Sequence, residues 1–378
     1  MIIGLNGQKL LTKSPAGPER YTLSLYKALA GLDKTNQYII YLENDPTEFP
    51  EVKYFEQFPN FRLKQLTKIV SWTHISLLLE LLRNPVDVFF SPVHTLPFIK
   101  TFGTKYVSMI HGLEYKSNEI YSTLSARGLL HPFVLWYTML IADLIIVPSR
   151  FTKKAVKTSR LLQNMEKVKV IYEGVNDTFY KRNELEISEI KSKYGLSGKN
   201  YVIFVSTIQP RKNIPNLVKG FSMALESKNE LKETILVIVG EKGWSFEESI
   251  AAPTKYNVVN NVKFLGWVDQ SDLPTLMSGA AAYVMPSFEE GFSLTILEAM
   301  ASEVPVIASD IETHKEIGNN YCNFVNPNSP EEIKKALIKV LTGQVEANRI
   351  ENAKNYARSF TWKETAMRTL SAFESLLA

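Results

Sequence analysis

The chain has 378 residues, 45% hydrophobic and 22% charged, with a formal net charge of +4. Those proportions exclude a disordered or fibrous protein, and the length fits two domains better than one. A single cysteine, Cys322, excludes an internal disulfide and a cysteine-rich zinc centre, and the first residues lack the basic head and cleavage site of a signal peptide, so the cytoplasm is the expected location.

Taken in chain order, short apolar and β-branched runs alternate with longer helical segments, the rhythm of a parallel sheet. In the first half, strands are predicted at 2–5, 38–42, 86–90, 105–110, 144–147 and 168–171. A helix is predicted over 21–32, with Tyr21, Leu25, Ala28, Leu29 and Leu32 on one face. Residues 66–82 place Trp72, Ile75, Leu78, Leu79 and Leu82 on one helical face. The most membrane-like stretch, 129–147, is broken by His131, Pro132 and Asp143; it reads as a buried helix and then a strand, so no transmembrane span is expected. Residues 176–200 are polar, with a short helix and the turn Gly195-Leu196-Ser197-Gly198, and read as a linker. Strands resume at 201–205, 235–239, 262–265, 281–285, 305–308 and 323–325. Thr361-Trp362-Lys363-Glu364 opens a terminal helix as a capping box in which Glu364 reaches back to the Thr361 amide.

The predicted fold class is α/β: two doubly wound Rossmann-like domains, 1–180 and 181–360, facing each other across a cleft, with a C-terminal helix, 361–378, free to return to the first domain. Ligands of such sheets bind beyond the carboxyl ends of the strands. Residues 1–180 carry 21 Lys and Arg against 15 Asp and Glu, and the remainder 22 against 24. The first-half surplus suits anionic headgroups or phosphorylated substrates, although an ordinary solvated surface reads the same way.

The most informative stretch runs from Pro286 to Ala301 and holds two carboxylates, Glu290 and Glu298, eight residues apart, with a helix beginning near Ser293. From its loop Glu290 can accept hydrogen bonds from sugar hydroxyls, and Glu298, about two turns into the helix, can accept from a ribose. Between them the free amides at the helix start favour an anion such as a diphosphate. Upstream, Ser206-Thr207-Ile208-Gln209-Pro210-Arg211-Lys212-Asn213 follows a predicted strand. There Arg211 can neutralise a diphosphate through paired hydrogen bonds and Lys212 as a point charge.

Together these motifs resemble the retaining nucleotide-sugar glycosyltransferases of the GT-B fold, in particular glycosyltransferase family 4 with its bacterial mannosyl- and glucosyltransferases. That family's signature, Ser-x-x-Glu-Gly-Phe-Gly-Leu-Pro-x-Leu-Glu-Ala-Met-Ala, is matched from Ser287 to Ala301, with Ser293 for the usual Gly and Thr295 for the usual Pro. The resemblance extends upstream. Ser14-Pro15-Ala16-Gly17-Pro18-Glu19-Arg20-Tyr21 is similar to a Gly-containing loop beside the donor phosphates, where Gly17 lets the backbone approach closely. His111-Gly112-Leu113-Glu114-Tyr115 is similar to a His-Asp-Leu motif whose His lies near the transferred sugar, with Gly112 in place of the Asp. Ile171 to Asn176 is similar to a Pro-Asn-Gly-Val-Asp turn, and Val239 to Trp244 and Phe264 to Val268 to strand ends around the nucleotide base. Ala308-Ser309-Asp310 with Glu316 is similar to a closing turn, where Glu303 replaces the usual Gly before Pro305.

The resemblance implies transfer of a hexose, with retention, from a GDP- or UDP-sugar to a saccharide or lipid-linked saccharide in cell-surface polysaccharide or glycolipid synthesis. It implies His111, Glu290, Arg211 and Lys212 as catalytic residues. The donor would be held by Gly17, Arg211, Lys212, Val268, Glu290, Gly291, Phe292, Ser293, Leu294 and Glu298. No metal, cofactor or nucleic-acid partner is expected: no Asp-x-Asp metal motif and no Gly-x-x-x-x-Gly-Lys-Ser/Thr loop occurs. Peripheral contact with the cytoplasmic membrane face through the first domain is a further expectation. A nucleotide-sugar epimerase or a phosphorylase of the same fold, a solute-binding protein and a catalytically silent sugar-nucleotide binder remain as alternatives.

Overall fold

The computed structural model describes residues 1–12, 15–113, 126–159, 161–162 and 164–378, without the side chains of 126–132. The chain divides into two compact units, Met1–Gly174 with Thr361–Ala378, and Val175–Phe360. The expected boundary at 180/181 thus falls at Gly174/Val175, and the C-terminal helix belongs to the first unit.

The first unit is built on seven parallel strands: β1 (Ile2–Asn6), β2 (Gln37–Leu42), β3 (Phe61–Gln65), β4 (Val88–Ser91), β5 (Lys105–Met109), β6 (Leu144–Val147) and β7 (Val168–Val170). They lie in the order β3-β2-β1-β4-β5-β6-β7. The second unit has six parallel strands, β8 (Tyr201–Val205), β9 (Ile235–Val239), β10 (Val262–Gly266), β11 (Ala282–Met285), β12 (Val306–Ser309) and β13 (Asn323–Val325). Their order is β10-β9-β8-β11-β12-β13. β4, β6, β8, β11 and β12 are buried throughout, because a parallel strand is covered on both faces and needs a continuous apolar run. In each unit the winding direction reverses once, between β1 and β4 and between β8 and β11, and such a reversal leaves a crevice beyond the strand ends.

Four expectations are corrected. β3 is an additional strand; its sequence, Phe-Arg-Leu-Lys-Gln, carries the charges that protect a sheet edge and obscure an apolar run. Within 66–82, a π-turn over Trp72–Ser76 precedes the helix Leu77–Arg83. Its wider turn shifts the helical phase, so Trp72, Leu77, Leu78 and Leu81 are buried while Leu82 is exposed. The expected linker is part of the second unit: Asn183 and Glu186 form a capping box for the helix Glu184–Lys193, which buries Ile187 and Ile190. Finally, the helix Ala126–Ile141 is not buried all round, since Leu135 and Met139 face the core but Phe133, Trp136 and Leu140 are exposed. Among the described residues no helix is long and apolar enough to cross a membrane.

The terminal helix, Trp362–Glu374, packs on the helix Gly17–Leu32. Thr361 Oγ1 accepts from the Glu364 amide at 3.2 Å, half of the expected capping box. The Glu364 carboxylate accepts instead from Arg368 Nε at 2.6 Å, one turn along the helix.

Candidate functional site

The winding reversal in the second unit brings together the loop after β8 and the loop after β11. The first contains a single 3-10 turn, Pro210–Lys212, ended by Asn213 in the left-handed region at φ 59°. Asn213 Nδ2 donates to the carbonyls of Pro286 (2.9 Å) and Pro327 (2.7 Å), and the Phe288 amide donates to Arg211 O at 2.9 Å, so the two loops are fastened to each other.

At their junction Glu290, 7% exposed, accepts from Lys212 Nζ at 2.6 Å, Arg211 Nη1 at 2.9 Å and Ser287 Oγ at 2.7 Å. Burial alone would favour the neutral acid, but Lys212 and Arg211 outweigh it and hold the carboxyl well below the usual carboxylate range. Arg211 Nη1 also donates to Glu289 O at 3.0 Å. Lys212 is buried and Arg211 only partly so, and two cations against this one carboxylate favour a multiply charged anion beside them.

Gly291, Phe292 and Ser293 lead from Glu290 into the helix Leu294–Ala301. Phe292 is buried. Ser293 takes the left-handed conformation at φ 73°, and its Oγ lies 2.9 Å from Nε2 of fully buried His314. Burial pushes the His314 pKa down to about 4, against the opposing pull of Glu290. Thr313 Oγ1 donates to Glu290 O at 2.8 Å. Thr295 accepts from Tyr283 OH at 2.6 Å. Glu298 is wholly buried on the helix, and Val268 is buried just past β10.

The first unit holds the other two candidates. Gly17 opens its helix, and a Cβ there would meet nothing within 4 Å, so close approach of another group is open to it. His111 follows β5 with Nε2 2.9 Å from Pro92 O and Nδ1 3.6 Å from Glu173 Oε1, and its ring meets Tyr21 edge-on at 5.0 Å. Both ring nitrogens therefore face acceptors of the same unit. Ser14, Glu114 and Tyr115 of the two motifs lie outside the described residues.

Sequence reasoning thus named the residues that meet at the reversal but missed the groups that orient them. Ser287 and Ser309 stand within the motifs without a role, and His314, on the helix Glu312–Gly318, is in none of the segments read above. Glu173 stands where the Pro-Asn-Gly-Val-Asp turn has Asn, a departure that marked it.

Two doubly wound parallel sheets, one carrying a Glu–Arg–Lys constellation at its winding reversal, define a two-domain Rossmann-like protein of GT-B fold. Residues 15–179 match Glycosyltransferase Family 4 and residues 186–360 match Glycosyl transferases group 1; the chain belongs to this glycosyltransferase family. Among curated relatives, O-antigen chain mannosyltransferase B of Escherichia coli is 28% identical over 197 residues, covering 52% of this chain and 51% of that one. O-antigen chain mannosyltransferase RfbU of Salmonella typhimurium is 31% identical over 175 residues, covering 46% and 44%. The chain thus spans about half the length of the curated relatives it matches. Among solved structures, Anabaena HepE in complex with UDP-glucose aligns with a TM-score of 0.77 at 19% identity, covering 99% of both chains. The lipopolysaccharide-biosynthesis glycosyltransferase WaaG aligns at 0.73 and 16%, covering 98% of both.

Proposed function

We propose that the protein transfers a hexose from a nucleotide diphosphate sugar to a hydroxyl of a saccharide or lipid-linked saccharide, with retention at the anomeric carbon. The observation that carries this reading is the Glu290 carboxylate held between Arg211 and Lys212 at the winding reversal of the second unit. Arg211 and Lys212 neutralise the departing diphosphate without a metal, and Glu290 accepts from hydroxyls of the sugar. Gly291 to Leu294 offer amides to the donor, Val268 lines the base, and Glu298 and Gly17 keep the ribose and phosphate roles that the resemblance implies. In the step itself the acceptor oxygen bonds to the anomeric carbon, the bond from that carbon to the phosphate oxygen breaks, and the acceptor's proton passes to that phosphate oxygen. His111 is assigned to the sugar; its contacts with Pro92 and Glu173 give the ring a fixed orientation rather than a free nitrogen.

The names of the O-antigen mannosyltransferase relatives support mannose and a saccharide acceptor, and HepE with UDP-glucose supports a sugar nucleotide as donor. Contact of the first unit with an anionic membrane surface belongs to the same reading. Calorimetry against UDP-, GDP- and dTDP-sugars without added metal tests the donor site. Micromolar binding of one nucleotide class, weakened at least tenfold in Arg211→Gln, is expected. Absence of binding to all three would remove the transferase reading and favour a phosphorylase or a solute binder.

A further inference from the structure

The ring of His314 has a tautomer fixed by its neighbours. Nδ1 lies 2.9 Å from Ser309 Oγ and 3.1 Å from Ser309 O. The Ser309 hydroxyl donates its hydrogen to Ser287 O at 2.5 Å, so its oxygen can only accept from the ring, and the carbonyl can only accept as well. Nδ1 therefore carries the proton. The ring is neutral at physiological pH because burial disfavours its charged form, which leaves a lone pair on Nε2. The Ser293 oxygen at 2.9 Å must then be the donor. Its one hydrogen is spent on His314, and its remaining capacity is to accept.

That capacity selects the ligand group. A hydroxyl oxygen that can only accept bonds a sugar O–H but has nothing to give an ionised phosphate oxygen. Ser293 stands three residues after Glu290 on the same loop, whose Glu290 carbonyl is pinned by Thr313, the neighbour of His314. It also holds a left-handed backbone conformation, φ 73°, that strains any side chain and that Gly would adopt freely. The hydroxyl thus stands where the backbone conformation favours Gly.

We propose that Ser293, oriented by His314 and through it by Ser309 and Ser287, is a specificity-determining residue that accepts a hydrogen bond from a hydroxyl of the transferred sugar. The assignment rests on the donor-site reading above. It separates two ligands that differ in the transferred sugar: the sugar nucleotide and the free nucleoside diphosphate.

The test uses both, on the full chain. In Ser293→Ala, affinity for the sugar nucleotide should fall about tenfold, the cost of one lost hydrogen bond in a desolvated site, while affinity for the nucleoside diphosphate alone stays within twofold. Ser293→Gly should show the same split with a melting temperature equal to or above that of the wild type, which rules out misfolding as the cause. Equal loss for both ligands would make Ser293 a phosphate contact, and no loss for either would leave it structural; each overturns the proposal. Carbon-13 and nitrogen-15 spectra of histidine-labelled protein at pH 7 should show His314 with its proton on Nδ1. A proton on Nε2 would overturn the orientation argument without any ligand. If the wild type binds no sugar nucleotide while the tautomer is as derived, the donor-site reading has failed rather than the geometry at Ser293.

Discussion

Glu290 and His314 lie in one buried corner and are held by opposite means: the carboxylate stays ionised because two cations face it, and the imidazole stays neutral because burial outweighs the pull of Glu290. Both have folded pKa values below their unfolded ones, so both bind protons more readily in the unfolded chain, and stability must fall on acidification. For His314 the contribution is complete above about pH 6.5, the unfolded value, and is lost as pH falls through about 4. For Glu290 it is lost below the ordinary carboxylate range. Urea titrations from pH 7 to 4 should therefore show the wild type losing about 3 kcal/mol attributable to His314, and His314→Gln should show a shallower decline over that window; parallel slopes would refute the assignment. At this scale the sequence was most legible where neighbours in the chain act together, as in Arg211-Lys212 and the stretch from Glu290 to Glu298. It was least legible where the partner comes from another strand end, as His314 comes to Ser293. Two departures from the family pattern carried more than they disclosed: Ser293 and Glu303 stand where Gly is usual, and both adopt positive φ, 73° and 60°. The pattern marked a backbone requirement, not only a preference for small residues.

At the scale of elements, all six predicted strands of the second unit form; β8, β9, β11 and β12 write themselves as uninterrupted apolar runs because they are buried, while β10 and β13 at the two edges are only half-buried. The misses lie where tertiary context sets the pattern: β3 at a charged edge, the π-turn that rephases 72–83, and a helix assigned to a linker because only two of its residues face the core. The return of the terminal helix was left open by its own sequence, and the cause lies at Gly174. A Cβ on Gly174 would stand 2.2 Å from Trp362 N and 2.5 Å from Thr361 C, so only a glycine admits the helix start at that point. Thr365 Oγ1 donating to Tyr172 O at 2.8 Å and Lys169 Nζ donating to Ser375 Oγ at 2.8 Å complete the docking. Gly174→Ala should therefore lower the melting temperature by several degrees and expose 361–378 to proteolysis, since backbone atoms cannot give way as a flexible side chain can. Gly17→Ala, placed where nothing lies within 4 Å, should leave the melting temperature unchanged or slightly raised. Equal behaviour of the two variants would show that the helix does not depend on Gly174.

Across the whole chain, charge and exposed apolar surface are divided unequally between the units. The first carries 23 Lys and Arg against 16 Asp and Glu, the second 20 against 23. The first also exposes Ile99 and the fully exposed Phe102 on the loop after β4, and Phe133, Trp136 and Leu140 along one face of the helix Ala126–Ile141. The Phe98 ring packs against Tyr137 of that helix, at 5.6 Å, and so joins the loop to it. Lys100 and Lys167 border this surface, the former paired with Asp143 and the latter donating to the carbonyls that end the helix. Aromatic and aliphatic side chains in water beside lysines on a net-positive unit suit the boundary between headgroups and acyl chains of an anionic bilayer. The composition announced the charge, but the surface was hidden in a stretch that reads as a buried helix, because whether a helix face is covered is decided by the rest of the fold. Sedimentation with vesicles containing anionic lipid should capture the protein at low salt and release much of it as salt screens the headgroups. Phe102→Ser with Phe133→Ser should reduce capture about tenfold at an unchanged melting temperature, since both side chains are exposed. No capture at low salt would count against the membrane contact, and a dimer abolished by the same two substitutions would reassign the surface to self-association.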